Sequence, residues 1–423
     1  MAEVSPPQAK RSDSLLSRYR WSVVAAVVSV AFFFNTILSS IQSGSLGFDF
    51  GVFRSGAELS QREGWDVAYG AERASQYLAD AYFPHIADTP ALVRFISPPP
   101  FALLARAFTI GPFELAFGVW LVAGVVALVL STYVLGVPRW VAVVFLLSPM
   151  IAVNTWLGQT GAFVLLGFAL LHRSMVNRRD VAVGVLIGLM ILKPVLAVGY
   201  GLLLLIDLPR SRRALGVSAG VAALLTVPTL IGGLTPWREF AGAIQNRADI
   251  ESAWSQQSLA VAEVLKFLVP NGSAGFTLFS WVAGIFAAAV LLLVARRRFG
   301  NDPEVMSCVA VIATVVGSPH LLVYDLLILA IPVAVMWKRG YLSGDRVGIL
   351  ATCIVASIAF GPALNRLQFV NFGRAISIEF LGLVIACSLA VRWWSRSESQ
   401  ASKPGQSGEP ATTDIGEFDF HRS

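Results

Sequence analysis

The sequence predicts an all-α, polytopic integral membrane protein. Of its 423 residues 56% are hydrophobic and only 14% are charged, and the mean hydropathy is +0.68, which is too apolar for a soluble domain. Apolar runs recur from Trp21 to Trp394, and several approach the roughly 20 residues that cross a bilayer as a helix. The runs are continuous, whereas the strands of a membrane barrel alternate polar and apolar residues.

The charge distribution predicts which loops face the cytoplasm. The net charge is +6, and short loops between apolar runs hold clusters of basic residues, as the positive-inside rule describes. These clusters are Arg173, Arg178 and Arg179; Arg210, Arg212 and Arg213; Arg296, Arg297 and Arg298; and Lys338 with Arg339. The positive charge therefore indicates membrane orientation, and no nucleic acid partner is expected.

Three regions follow from this pattern. Residues 1–20 form a cytoplasmic N-terminal tail, 21–395 form the membrane domain, and the polar residues 396–423 form a disordered cytoplasmic tail. The first run, Trp21–Ile41, is too long for a signal-peptide core and no clear cleavage site follows it, so an uncleaved helix is expected. Two long loops, about 42–95 and 233–273, are predicted to be extracytoplasmic.

About 12 spans are predicted in total, with both termini in the cytoplasm. After the first helix they lie near 138–153, 158–172, 181–192, 194–207, 213–232, 274–295, 304–317, 320–337, 346–364 and 374–394. The apolar stretch 97–136 is too long for a single membrane crossing. Two crossings, however, would place the basic loops that follow on the wrong side of the membrane. We therefore expect part of 97–110 to lie at the interface or to be re-entrant. Amphipathic helices are expected near 52–63 and 72–82.

Polar features that interrupt the apolar runs all fall on the extracytoplasmic side of this topology. They are Asp49, Ser97–Pro100, Trp156–Gln159, Lys193–Pro194, Ser318–His320 and the pair Tyr324–Asp325. Polar and ionisable groups at membrane depth are costly, so they usually line a cavity or have partners. The sequence therefore predicts one extracytoplasmic pocket.

Asp49 and Lys193 are the most informative of these residues. Asp49 is a general base at the membrane surface, a solvated loop acid, or the N-cap of a helix beginning near Val52. Lys193 interrupts an apolar run before Pro194, which breaks a helix. Its ammonium either snorkels to the interface or binds a phosphate, because no other partner for it is evident.

Other polar residues are weaker candidates for donor or substrate binding. Gln159 either caps or bridges helices or contributes to the site, and His320 lies near Tyr324 and Asp325. Arg54 and Arg94, in the first long loop, are candidates for contact with an anionic head group. Pro98, Pro99 and Pro100 start a helix, shape a pocket wall, or do both. The separated cysteines Cys308, Cys353 and Cys387 indicate neither a disulfide framework nor a metal site.

Five segments together resemble glycosyltransferase family 87. In order they are GFDFGVFRSGAEL, RFISPPPFALL, WLGQTGAFVLLGFALL, ILKPVLAVGYGLLLL and GSPHLLVYDLLILAIP, and the resemblance covers about 21–395. Ser97 stands where the family often has an aromatic residue before the prolines, and an Asn often near the Gln is displaced to Asn154.

The resemblance implies a GT-C fold and sugar transfer from a polyprenyl-phosphate sugar, with mannose as the family expectation. By the same resemblance Asp49 is the catalytic base, and Lys193 and His320 lie near the donor phosphate or the sugar. The acceptor is an extracytoplasmic glycolipid or glycan, and the protein lies in a bacterial cytoplasmic membrane. Because no DxD-type pair indicates a nucleotide-sugar site, neither a metal nor another cofactor is expected.

Two other classes of protein remain as alternatives. A secondary transporter or lipid flippase also has about 12 helices with broken spans. Against this alternative, we find no internal repeat in the sequence. The polar groups of a transporter should also line a path across the membrane, whereas those of this chain are predicted on one side. A non-enzymatic membrane scaffold would need neither Asp49 nor Lys193.

Overall fold

The computed structural model describes residues 15–84, 95–138, 142, 146, 148–231, 233–245, 274–318 and 321–340. Within these ranges the regular elements are helices and no strand occurs, so the all-α prediction is confirmed. The spans predicted at 346–364 and 374–394, the C-terminal tail, Arg94 and His320 lie outside the described residues.

The described helices follow the predicted order, with breaks at several 3-10 segments. The α-helices are α1 (Leu15–Gln42), α2 (Phe48–Arg62), α3 (Trp65–Tyr69), α4 (Ala71–Ala81), α5 (Pro99–Ala105), α6 (Phe113–Leu135), α7 (Pro149–Leu157), α8 (Gly161–Val176), α9 (Asp180–Leu189), α10 (Val198–Ile206), α11 (Leu208–Thr226), α12 (Thr235–Gln245), α13 (Ala274–Phe299), α14 (Pro303–Gly317) and α15 (Ala330–Lys338). The 3-10 segments are Arg106–Thr109, Met190–Leu192, Pro194–Ala197, Val227–Leu230 and Val323–Leu329.

Two helices in the described part of the chain, Phe113–Leu135 and Leu208–Leu230, are long and apolar enough to cross a membrane. Their apolar residues face outwards: only 22% and 11% of the respective spans are buried. An outer surface of this kind suits a lipid environment better than water. The predicted total of about 12 spans is not confirmed. Shorter apolar helices are Ala26–Gln42, Gly161–Val176, Asp180–Leu192, Pro194–Ile206 and Pro303–Gly317.

The stretch 97–136 contains one long helix instead of two crossings. Pro98 is the N-cap of α5 and Pro99 and Pro100 occupy its first turn, so the helix-start interpretation of these prolines is correct. The short α5 and the following 3-10 turn end at Thr109, and Gly111, with a φ of 82°, lies in the turn before α6. Because α5 packs against α2, it extends the helical cluster of the first long loop.

The first long loop folds into amphipathic helices, as predicted near 52–63 and 72–82. Its helices α2, α3, α4 and α5 form what we call the α2–α5 cluster. The cluster is held to α6 by aromatic packing, with the Phe50 ring at 5.4 Å from Phe117 and 5.6 Å from both Phe113 and Trp120. This packing fixes the start of α2 against the long helix.

Helices α10 and α14 cross at backbone contact. A Cβ on Gly199 would overlap the carbonyl oxygen of Ala310, and the Gly199 N–H donates to Thr314 Oγ1 at 3.1 Å. Small residues allow helices to approach this closely in membranes. The crossing matters for function because α10 begins just after Lys193 and α14 ends just before the segment that carries Asp325.

Candidate active site

Asp49 lies in the first turn of α2, where its carboxylate accepts a hydrogen bond from Gln159. Gly47 is the N-cap residue, with a φ of 80° and no side-chain cap, so the alternative in which Asp49 caps a helix beginning near Val52 does not hold. The Gln159 Nε2 donates to Asp49 Oδ2 at 2.5 Å. Asp49 is partly exposed and Gln159 is buried, so the amide supports the carboxylate from inside.

Two tight turns hold Asp49 and Gln159 together. Helix α7 ends at Leu157, and Gly158 then reverses the chain with a φ of 71°. The Gly47 N–H donates to the Trp156 carbonyl at 2.7 Å, and the Trp156 indole N–H donates to Ser45 Oγ at 3.1 Å. The turn before α2 and the turn after α7 are therefore joined by backbone and side-chain hydrogen bonds.

Gly47 and Gly158 are required in these turns because of their backbone conformation and because neighbouring side chains leave no room for a Cβ. Positive φ is unfavourable for residues with a Cβ. A Cβ on Gly158 would lie 2.7 Å from Phe50 Cβ and 2.9 Å from Phe117 Cε2, and one on Gly47 would lie 3.1 Å from the Phe117 ring. The turns therefore fit only when both positions lack a side chain.

We expect Gly158→Ala to move Gln159 away from Asp49. The substitution combines a left-handed backbone with a clash against Phe50, so it should destabilise the fold by about 1–3 kcal/mol and lower catalytic activity more than tenfold. Thermal unfolding in detergent and initial rates would measure the two effects. Gly167→Ala is the matched control, because a Cβ added to Gly167 in α8 would meet no atom within 4 Å. Equal behaviour of the two variants would contradict the expectation.

Lys193 lies at the break between two 3-10 segments, as its position before Pro194 predicted. Its backbone is extended, with φ −148° and ψ 72°. The ammonium forms an ion pair with Asp325 and lies 5.0 Å from the centroid of the Tyr324 ring. No partner for this ammonium was evident in the sequence, and the structure supplies one.

Asp325 is the most buried member of this group, with 2% of the residue exposed. One carboxylate oxygen contacts Lys193, and the other accepts the Leu322 N–H at 3.3 Å. The Lys193 side chain keeps 28% of its surface exposed. Asp325 and Tyr324 therefore hold Lys193 in place while its side chain stays partly exposed.

Electrostatics connect Asp49 with Lys193. Burial raises the pKa of Asp49 from its ordinary value of 3.8 to about 6, and the Gln159 hydrogen bond and the Lys193 charge oppose this rise. The carboxylate and the ammonium therefore lie within electrostatic range of one another. We call Asp49, Gln159, Lys193, Tyr324 and Asp325 the candidate site.

Arg54 belongs to the α2–α5 cluster and has a structural role. Its guanidinium donates to Glu58 Oε1 at 3.0 Å and to the Gly111 carbonyl at 2.7 Å, and it lies 5.3 Å from the Tyr82 ring. Only 6% of Arg54 is exposed. These contacts tie α2 to the turn before α6, and the role of Arg54 in binding a head group stays a prediction.

Sequence reasoning noted Trp156 and Asn154 but not how they connect the two halves of the site, and it missed Ser45. Ser45 and Trp156 form the clamp near Asp49. A Cβ on Gly161 would lie 2.7 Å from Asn154 Oδ1 and 2.8 Å from the Tyr324 carbonyl oxygen, so Gly161 is where α7, α8 and the Tyr324 segment meet. A polar residue within an apolar run was the available signal for Asn154. Among the described residues, no three His, Cys, Asp or Glu side chains form a group that could hold a metal.

Comparison with known proteins gives one family. The family model of glycosyltransferase family 87 matches residues 95–324, more than half of the chain. No curated protein and no solved structure matches. The matched range contains Gln159, Lys193 and Tyr324, whereas Asp49 precedes it and Asp325 follows it directly.

Proposed function

This chain belongs to glycosyltransferase family 87, and from that premise we propose that it transfers a hexose, expected to be mannose, from a polyprenyl-phosphate sugar to an extracytoplasmic glycolipid or glycan. Glycosyl transfer, the EC 2.4 class of reaction, follows from the family itself. The family and the apolar helices also indicate a membrane protein. We propose four further points: the identity of the donor, the class of acceptor, the stereochemistry of transfer and the location in a bacterial cytoplasmic membrane.

One arrangement supports the proposed mechanism: Gln159 holds the carboxylate of Asp49, and Asp325 holds the ammonium of Lys193 at a helix break. Asp49 removes the proton from an acceptor hydroxyl as its oxygen attacks the anomeric carbon. The bond from that carbon to the phosphate oxygen breaks, and the polyprenyl phosphate leaves with the electron pair. A single displacement inverts configuration, so a β-linked donor gives an α-linked product.

Lys193 would stabilise the leaving group. Negative charge grows on the phosphate oxygen as the glycosidic bond breaks, and a positioned ammonium favours that change. The ion pair with Asp325 and the contact with Tyr324 hold Lys193 in place. The donor is a phosphodiester with a single negative charge, which suits one cation, and we propose that no metal is required. Contacts of Arg94 and His320 with the donor remain predictions.

The pH dependence of transfer should report the titration of Asp49. Because burial raises the pKa of Asp49 to about 6, the base is protonated and inactive below that value. We expect kcat/KM to fall about tenfold per pH unit below about pH 6 and to level off above about pH 7. Initial rates at low acceptor concentration would measure this pH dependence of kcat/KM. Unfolding followed at each pH is the control for loss of folded protein. A rate that stays constant down to about pH 5 would contradict the assignment.

The donor is tested with purified protein in lipid nanodiscs. We expect label from polyprenyl-phosphate-mannose to enter a new glycan in a membrane-lipid extract, with no transfer from GDP-mannose and no loss of rate in EDTA. Transfer from GDP-mannose would overturn the donor assignment. If label crosses the bilayer of proteoliposomes without forming a glycosidic bond, the flippase alternative is supported instead.

A further inference from the structure

We propose that Gln159 is a positioning residue for Asp49: its amide is fixed by the Thr160 N–H and holds one carboxylate oxygen, which leaves the other oxygen for the acceptor proton. The proposal rests on the proposed role of Asp49 as the base. It replaces the sequence-based prediction that Gln159 binds donor or substrate.

The orientation of the Gln159 amide follows from its two neighbours. The oxygen and nitrogen of an amide are assigned from hydrogen bonding. The Thr160 backbone N–H can only donate, and it lies 3.3 Å from Gln159 Oε1. An ionised carboxylate only accepts, and Asp49 Oδ2 lies 2.5 Å from Gln159 Nε2. If the amide were reversed, its NH₂ group would face the Thr160 N–H and its oxygen would face the Asp49 carboxylate, and neither contact could be a hydrogen bond.

The two oxygens of Asp49 are therefore unequal. Oδ2 receives the Gln159 N–H, while the contacts among the described residues assign no donor to Oδ1. Asp49 keeps partial access to solvent. An acceptor hydroxyl that reaches Asp49 would find the lone pairs of Oδ1 available to take the proton.

The burial of Gln159 favours support of the base over contact with a substrate. Only 8% of the residue is exposed, and both ends of its amide already have partners. Gln159 also follows directly after Gly158 in the clamped turn, so its backbone has little freedom to move towards a bound sugar.

Removing the amide should lower the fraction of Asp49 that is ionised at neutral pH and leave the carboxylate less well oriented. The Gln159 hydrogen bond favours the ionised form of Asp49, so its loss moves the titration of Asp49 to higher pH. We expect Gln159→Leu to lower kcat about ten- to a hundredfold at pH 7, to change donor KM less than about twofold, and to shift the acidic limb of the pH profile upwards. Gln159→Glu places a second carboxylate against Asp49, so the acidic limb of the pH profile of this variant should shift further towards high pH.

An infrared titration gives a readout that does not depend on activity. The carboxylate signal of Asp49 is isolated as the difference between the wild type and Asp49→Asn, and the same difference is taken in the Gln159→Leu background. We expect the Asp49 carboxylate to titrate at higher pH in the Gln159→Leu background than in the wild-type background. Ser131→Ala is the control, because Ser131 is a buried polar residue of α6 whose hydroxyl donates to the Ala127 carbonyl at 2.6 Å and whose described contacts do not include Asp49; the Asp49 titration should not shift.

The outcomes separate the proposal from the function on which it rests. A raised donor KM with an unshifted limb and an unshifted infrared titration in Gln159→Leu would overturn the positioning role and support direct binding of the donor. Near-normal turnover of Asp49→Asn would overturn the role of Asp49 as base, whatever the Gln159 variants do. A shifted titration with reduced kcat and unchanged donor KM supports the proposal.

Discussion

Asp49→Asn is expected to reduce sugar transfer by about 10²–10⁴-fold, the usual contribution of a general base. Asparagine keeps the shape of aspartate, and its side-chain oxygen can still accept the Gln159 N–H seen at 2.5 Å. It cannot take a proton from an acceptor hydroxyl. Binding of the donor should therefore persist while the chemical step is lost.

The same substitution is expected to stabilise the fold at neutral pH. A folded-state pKa of about 6 against an ordinary value of 3.8 means that folding disfavours the ionised carboxylate. The protein thus gains stability from Asp49 as pH falls from about 6 towards 4, and Asp49→Asn removes this dependence. At pH 7 the gain should be about 1–3 kcal/mol, and it should vanish below about pH 4.

Transfer assays and thermal unfolding of the same preparations measure both effects. Asp80→Asn is a suitable control, since Asp80 is an exposed acid of α4 and its replacement should change neither quantity. An inactive variant that is also less stable than the wild type would indicate a structural role for Asp49. An active variant would contradict the proposed chemistry altogether.

Local features of the site could be predicted because neighbouring residues determine them. Pro194 breaks the helix at Lys193 by steric exclusion, and the run of prolines starts α5. Amphipathic periodicity likewise located α2 and α4. In each case the physical cause lies within a few residues of the feature.

The partners of the charged groups could not be predicted in the same way. Gln159 is 110 residues from Asp49 and Asp325 is 132 residues from Lys193, and such pairs depend on how helices pack. The glycine contact between α10 and α14 brings the Lys193 and Asp325 segments together. The contact of Arg54 with the Gly111 carbonyl, 57 residues away, was beyond prediction for the same reason.

The largest expected effect on stability comes from Lys193→Met. This change leaves the carboxylate of Asp325, a residue with 2% exposure, without its cation. Breaking a fully buried pair from one side costs about 3–5 kcal/mol, and the partial exposure of Lys193 reduces this cost, so we expect a clearly lowered unfolding temperature in detergent, together with loss of transfer. Loss of transfer in this variant alone would not distinguish misfolding from a missing catalytic charge.

The double variant Lys193→Met with Asp325→Asn makes that distinction. Neutralising both partners removes the unpaired buried charge, and the side-chain oxygen of the new asparagine would still accept the Leu322 N–H that Asp325 accepts at 3.3 Å. We therefore expect the double variant to recover most of the stability lost in Lys193→Met, as measured by tryptophan fluorescence on heating.

Transfer should not recover with the fold, because the leaving phosphate still lacks its ammonium. We expect the double variant to bind donor weakly and to remain at least about a hundredfold slower than the wild type. Asp325→Asn alone should keep more activity than Lys193→Met, since Lys193 remains charged and partly exposed to solvent. Near-normal transfer by the folded double variant would show that the pair only stabilises the helix break, and the phosphate would then need another cation.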